Sequence, residues 1–182
     1  MTDAELEAFC QLNDVKRVER TREGVIEMNP PTGSYTSASN SEITGQLRAW
    51  WKTHRRGQVY DSNGGFYLAD GSMLSPDASY LTAERLAGVT KEDRRGFPHV
   101  CPNFVIELFS KTDRMAKLKQ KMERWIENGA QLGWLIDPYR REVHVYTLGG
   151  SRLSGQSGVV EGEGPVVGFA LDLLEVWSCY EG

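Results

Sequence analysis

Residues 102–138 read PNFVIELFSKTDRMAKLKQKMERWIENGAQLGWLIDP, a strand, a helix and a second strand in succession. The run from Phe104 to Phe109 is almost wholly apolar, as expected of a strand buried on both faces. Glu107 interrupts it. An unanswered carboxylate in such a strand costs several kcal/mol, so a cation, a metal ion or a proton must compensate it. Ser110-x-x-Asp113 has the spacing of a helix N-cap with its capping-box partner. Met115, Leu118, Met122, Trp125 and Ile126 then recur at helical spacing and face the core. Gly129 suits the position just past the helix. Leu132 to Ile136 is the second apolar strand, stopped at Asp137-Pro138.

Outward from this unit, residues 3–12 have the pattern of a short amphipathic helix. Arg17 to Met28 holds two short alternating runs about Arg22-Glu23-Gly24, a hairpin signal. Asn29-Pro-Pro-Thr-Gly33 is a break. From Ser39 to His54 a helix is marked by Ile43, Leu47, Trp50 and Trp51, with basic residues at its end as the helix dipole favours. Strands are expected over Gln58–Asp61, Phe66–Leu68 and from Ser75-Pro76-Asp77 to Leu81. Thr82 to Pro98 is polar, a surface helix or loop. Glu142 to Leu148 alternates like a half-exposed strand. Residues 149–165 read as a Gly-rich loop or edge hairpin, and Gly168 to Trp177 as an apolar closing segment. The order predicts an α/β domain with a mixed sheet whose last crossover is right-handed.

At 182 residues the chain is long enough for one domain with a real core. Apolar content of 40% and charged content of 25% fit a soluble globular protein. No apolar run approaches the roughly 20 residues that span a membrane, and the acidic N-terminus lacks a signal-peptide pattern. Three widely spaced cysteines argue against a disulfide framework or a zinc site and for a reducing cytoplasm. The net charge of −4 argues against a general nucleic-acid coat but leaves room for a local basic groove.

Few residues can carry chemistry. His54, His99 and His144 form no metal-spaced pair. Ser75 and Ser110 lack the Gly-x-Ser-x-Gly elbow of an acyl hydrolase, and Gly64-Gly65 is a turn rather than a phosphate cradle. Asp77, at a strand start, and Glu107, inside the next buried strand, are two hard oxygen ligands of the kind magnesium takes. Each also has a structural reading: Pro-Asp is a common turn pair, and Glu107 could answer a buried Arg or Lys. On the following helix Arg114, Lys117 and Lys121 fall on one flank, beside the apolar stripe, where a lysine can reach a cleft or simply face solvent.

Together the segments resemble the Uma-two family (domain of unknown function 820), restriction-endonuclease-like proteins of the PD-(D/E)xK nuclease superfamily. The matching stretches are Gly65-Phe66-Tyr-Leu-Ala-Asp-Gly71 to Ser75-Pro76-Asp77, and Pro102-Asn-Phe-Val-Ile-Glu107-Leu-Phe-Ser110. Asp113, Lys121-x-x-x-Trp125-x-x-x-Gly129, Trp134-Leu-Ile-Asp137-Pro138, Gly164-Pro165 and Gly168-Phe169-x-Leu171 complete them. The resemblance implies a restriction-endonuclease-like mixed β-sheet flanked by helices in a single domain at residues 16–177, with a helical extension at 1–15 and a tail at 178–182. It implies a magnesium (or manganese) ion held by Asp77, Glu107 and the carbonyl of Leu108, with DNA as substrate and a homodimer as the assembly. The superfamily's usual lysine, two residues past the second acid, is replaced by Phe109. Lys121 stands at the matching position for a lysine supplied by the next helix, and Arg114 and Lys117 are expected to contact flanking phosphates. Asn103 stands where the family often has Asp, and Asn40 near the place of a frequent His. Glu42 faces away from Ile43 and Leu47 and is left out of the site. The alternative is a nuclease-fold protein that no longer cuts and serves as a binding or regulatory module.

Overall fold

The computed structural model describes residues 1–13, 17–155 and 158–181. The boundary expected between residues 15 and 16 lies outside them. The chain folds around a six-stranded mixed sheet. Its central strands are β7 (Phe104–Leu108) and β8 (Leu132–Asp137), which run parallel with Glu107 opposite Leu135. The helix α4 (Met115–Glu127) joins them. On one side β9 (Glu142–Thr147) and β10 (Gly150–Ser154) continue the sheet, and on the other β6 (Ala78–Leu81) and β3 (Gln58–Tyr60), all antiparallel.

Side chains alternate across β7. Phe104, Ile106 and Leu108 enter a core with Ile43 and Leu47 of α2 (Ser34–His54) and with Val176 and Trp177 of α5 (Leu173–Ser178). Val105 enters the opposite core with Met122, Trp125 and Ile126 of α4. Glu107 has the same parity as Val105, so the period of two aims it at α4. The helix lies close on the sheet there: a Cβ at Gly133 would collide with the Met122 side chain.

A second sheet, in the order β2-β1-β5-β4, is built from β1 (Arg17–Arg20), β2 (Ile26–Asn29), β4 (Phe66–Tyr67) and β5 (Met73–Leu74). The 17–28 stretch is the expected hairpin, with Val18 opposite Met28. The runs at 58–61 and 66–68 are both extended but do not pair with each other: β3 joins the large sheet and β4 the small one. The N-terminal helix α1 (Asp3–Leu12) carries the capping box Thr2/Glu5 and buries Leu6 against Val18, Tyr67 and Met73. The C-terminal stretch forms β12 (Ala170–Asp172), which pairs with β11 (Val159–Glu161), and then α5. No described helix is long and apolar enough to cross a membrane.

Two local expectations need correction. The Ser110/Asp113 pair does not cap α4, whose N-cap is Arg114 with no side-chain hydrogen bond. The Asp113 carboxylate instead accepts from both the N–H and the hydroxyl of Ser110, closing a separate turn before the helix. Likewise α2 starts at Ser34, five residues before the expected Ser39, because Gly33 supplies its N-cap directly after the Pro-Pro break. At the other end of α4, Gly129 has φ of +105°, the conformation a glycine just past a helix supplies.

Candidate functional site

A cleft of about 930 Å³ opens between the small sheet, the start of α2, the end of β7 and α4. Asp77, Glu107, Leu108, Lys121, Arg114 and Lys117 all line it, so the topology brings every residue expected in the site to one place. Asp77 lies at the entry to β6, where its N–H donates to the Ile106 carbonyl. One carboxylate oxygen accepts the Leu108 N–H at 2.7 Å. The other accepts from Arg17 at 2.8 Å and from the Asn40 amide at 3.4 Å.

Glu107 is fully buried. Its Oε1 accepts from the Trp125 indole at 2.9 Å and sits 2.8 Å from the Lys121 ammonium. Its Oε2 is buried and has no hydrogen-bond partner, and the same holds for the Asn40 Oδ1. Buried polar atoms are paired in the great majority of cases, and these two exceptions belong to residues that line one cleft. Burial pushes the Glu107 carboxyl up to about 7, and the charge on Asp77 adds to the rise, although Lys121 and Arg17 pull the other way.

Lys121 does not lie on a solvated flank. Its side chain is 12% exposed and spends its three protons on Glu107, on Glu19 at 2.8 Å, and on the Ser75 carbonyl at 2.8 Å. Burial alone would lower its pKa, but Glu107 and Glu19 together outweigh that and raise it. Glu19 is the acid missing from the expected site. It accepts the Ser75 N–H at 2.9 Å, and Lys121 and Arg17 overcome its burial to keep it below the usual carboxylate range. The two lysine partners thus differ: Glu19 is held as an anion, while Glu107 is pushed toward its neutral form. Three carboxylates, Asp77, Glu107 and Glu19, face two cations, Arg17 and Lys121. With Glu107 ionised the balance is −1, and that charge and the unpartnered oxygen both favour a further cation; with Glu107 neutral the balance is zero.

Arg17 and Glu19 were missed because a four-residue strand of alternating charge reads as a solvated hairpin edge. The available signal was their spacing, i and i+2, which places both on one face of β1. Asn40 is not a defect of the site but a hydrogen-bond partner of Asp77. Asn103 lies at the opposite end of β7, bonded to the Thr82 N–H and to Gln131, and shapes the turn into the strand. Glu42 pairs with Gln46 on the surface of α2 and does not line the cleft. Lys117 is 61% exposed and pairs with Glu27 at 2.7 Å.

Among the described residues no three His, Cys, Asp or Glu side chains cluster so as to hold a metal. A smaller donor set lines the cleft, the carboxylates of Asp77 and Glu107 from adjacent elements. That suits magnesium, which binds through one or two carboxylates and keeps several waters.

No curated protein matches the chain. A structure of a protein from Anabaena variabilis, described as a "putative nuclease" of domain of unknown function 820, superposes with a TM-score of 0.74 at 22% identity, covering 89% of this chain and 90% of that one. That likeness shows the fold. The model of the Uma2 family, described as "Putative restriction endonuclease", matches residues 3–173. With nearly the whole length matched, the chain belongs to the Uma2 family.

Proposed function

We propose that this protein is a divalent-metal-dependent endonuclease that hydrolyses phosphodiester bonds in DNA, with Asp77, Glu107 and Lys121 as its catalytic residues. The observation that carries this is the Glu107 Oε2, buried, unpartnered and lining the same cleft as Asp77. Asp77, Glu107 and the Leu108 carbonyl would hold the ion, magnesium or manganese. Such an ion polarises a phosphate and lowers the pKa of a bound water. Lys121 holds Glu107 in place by direct contact, and Glu19 and Ser75 hold Lys121. Exchanging the Ser75 carbonyl for a water or a phosphate oxygen lets Lys121 orient the nucleophile or stabilise developing negative charge. Arg114 and Lys117 add sequence-independent attraction for flanking phosphates. In this reading residues 16–177 form the nuclease unit, with 1–15 as a helical extension and 178–182 as a tail.

One contact favours the second reading, a nuclease fold that binds without cutting: Arg17 already neutralises Asp77. Incubation of the pure protein with plasmid and oligonucleotide pools in magnesium, manganese or chelator separates the two. Metal-dependent cleavage that disappears in Glu107→Gln supports the nuclease. Nucleic-acid binding without cleavage in either metal supports the binding module.

A further inference from the structure

A second hollow, of about 320 Å³, lies at the carboxyl ends of the parallel pair β7 and β8. Phe109, just past β7, and Asp137, Tyr139 and Arg140, at the end of β8, line it with Lys111 and Met115. It shares Lys111 and Tyr139 with the acidic cleft, so the two are neighbours at those side chains. The turn that shapes it is fixed: the buried Asp137 carboxylate accepts the N–H groups of Tyr139 and Arg140 at 3.0 and 3.1 Å.

Tyr139 is 42% exposed, yet its ring is braced by T-shaped contacts with Phe109 at 6.0 Å and Tyr180 at 5.3 Å. Tyr35, at 49% exposure, extends the aromatic row through Tyr180 along the rim of the cleft. The Lys111 ammonium lies over one face of the Tyr139 ring, 5.8 Å from its centre. A braced, part-exposed ring beside a cation stacks a base once the lysine turns from the ring to that base's phosphate. The volume stands at the lower end of what holds a small organic ligand, roughly 300–1,000 Å³. One base with its sugar fits such a space, and a base must leave the helix stack to lay its face on Tyr139.

We propose that this hollow is a subsite for one unpaired nucleobase next to the cut phosphate, so that the preferred substrate is DNA with a single-stranded stretch at the cleavage point. This rests on the endonuclease reading above and adds its substrate form. Lys111 and Arg140 attract the backbone, Tyr139 stacks the base, and the neighbouring phosphate falls on the side of the adjoining cleft that holds Asp77 and Glu107.

The test uses the full chain in chelator, with one labelled oligonucleotide as a single strand and as a hairpin duplex. Fluorescence anisotropy is expected to show tighter binding of the single strand. Tyr139→Leu is expected to weaken single-strand binding about tenfold and leave duplex binding unchanged, while Tyr139→Phe keeps the ring face and the affinity. A 2-aminopurine in the strand is expected to be quenched by the wild type and Tyr139→Phe but not by Tyr139→Leu. Equal single-strand affinity of Tyr139→Leu and wild type, with both folded by circular dichroism, overturns the subsite. Parallel cleavage assays in magnesium separate it from the reading beneath it. Cleavage indifferent to Tyr139→Leu refutes the subsite alone. Tyr139-dependent single-strand preference without any cleavage supports the subsite and refutes the nuclease.

Discussion

Glu107→Gln is the substitution whose outcome the structure constrains most tightly. In the metal-free protein Glu107 titrates near 7, against 4.5 for the solvated group, because burial and then Asp77 oppose its charge. The unfolded chain therefore releases this proton at a lower pH than the folded one, and stability must fall as pH rises between the two values. Each tenfold change in the ionisation constant is worth about 1.4 kcal/mol, so ionised Glu107 costs the fold about 3 kcal/mol above pH 7 and nothing below 4.5. A glutamine avoids that cost. Its amide oxygen keeps the Trp125 and Lys121 hydrogen bonds, its nitrogen takes the place of the orphaned Oε2, and Lys121 retains Glu19. Urea melts in chelator are expected to show Glu107→Gln about 1–3 kcal/mol more stable than wild type at pH 8 and equal to it near pH 4.5. Taking the difference between the proteins cancels other titrating groups. Magnesium should then favour only the wild type, by about 2.7 kcal/mol at a hundred times its dissociation constant. If Glu107→Gln at pH 8 is instead destabilised by roughly 3–5 kcal/mol, Glu107 is the obligatory counter-ion of Lys121 and the metal-site reasoning fails.

Lys121→Ala removes the cation in direct contact with both Glu19 and Glu107, so it is expected to cost roughly 3–5 kcal/mol at pH 8 and less near pH 5, where Glu107 regains its proton. A loss below about 1 kcal/mol in denaturant melts would return the lysine to a solvated face. Lys117→Ala, which breaks only an exposed pair with Glu27, is expected to leave stability within about 1 kcal/mol. It should weaken DNA binding for all sequences and reduce the salt slope by about one, and an unchanged slope would exclude a phosphate contact. His99 bridges α1 to the 90s loop: hydrogen bonds to Asp3 and Asp93 raise its pKa against the lowering effect of burial. The stability it adds is present below pH 6.5 and lost as pH rises through the higher folded value, so His99→Gln should flatten that part of the stability profile.

The unit from β7 through α4 to β8 was legible because its signals are local. An apolar run of strand length, a 3.6-residue stripe and a glycine at the helix end each depend on near neighbours. The hairpin at 17–28 and the helix at 3–12 were readable for the same reason. Glu107 declared itself by standing alone in an apolar strand, and Asp77 and Lys121 followed from the family's pattern; the fold brings all three to one cleft. The turn at Ser110–Asp113 shows the limit of local pattern, since the same spacing serves a helix cap or a free turn and only the path from β7 to α4 chooses. Asn40 stood out only as a departure from the family's pattern, and the partners of Arg17, Glu19 and Asn40 were beyond reach. These three lie 60, 56 and 37 residues from their partners Asp77, Ser75 and Asp77. A charge on a short strand has the same sequence signature whether it meets water or a buried ammonium. What decides between them is which sheet packs over the end of β7, and that is set by the burial of Val18, Tyr67 and Met73 under α1, through contacts that no spacing along the chain encodes.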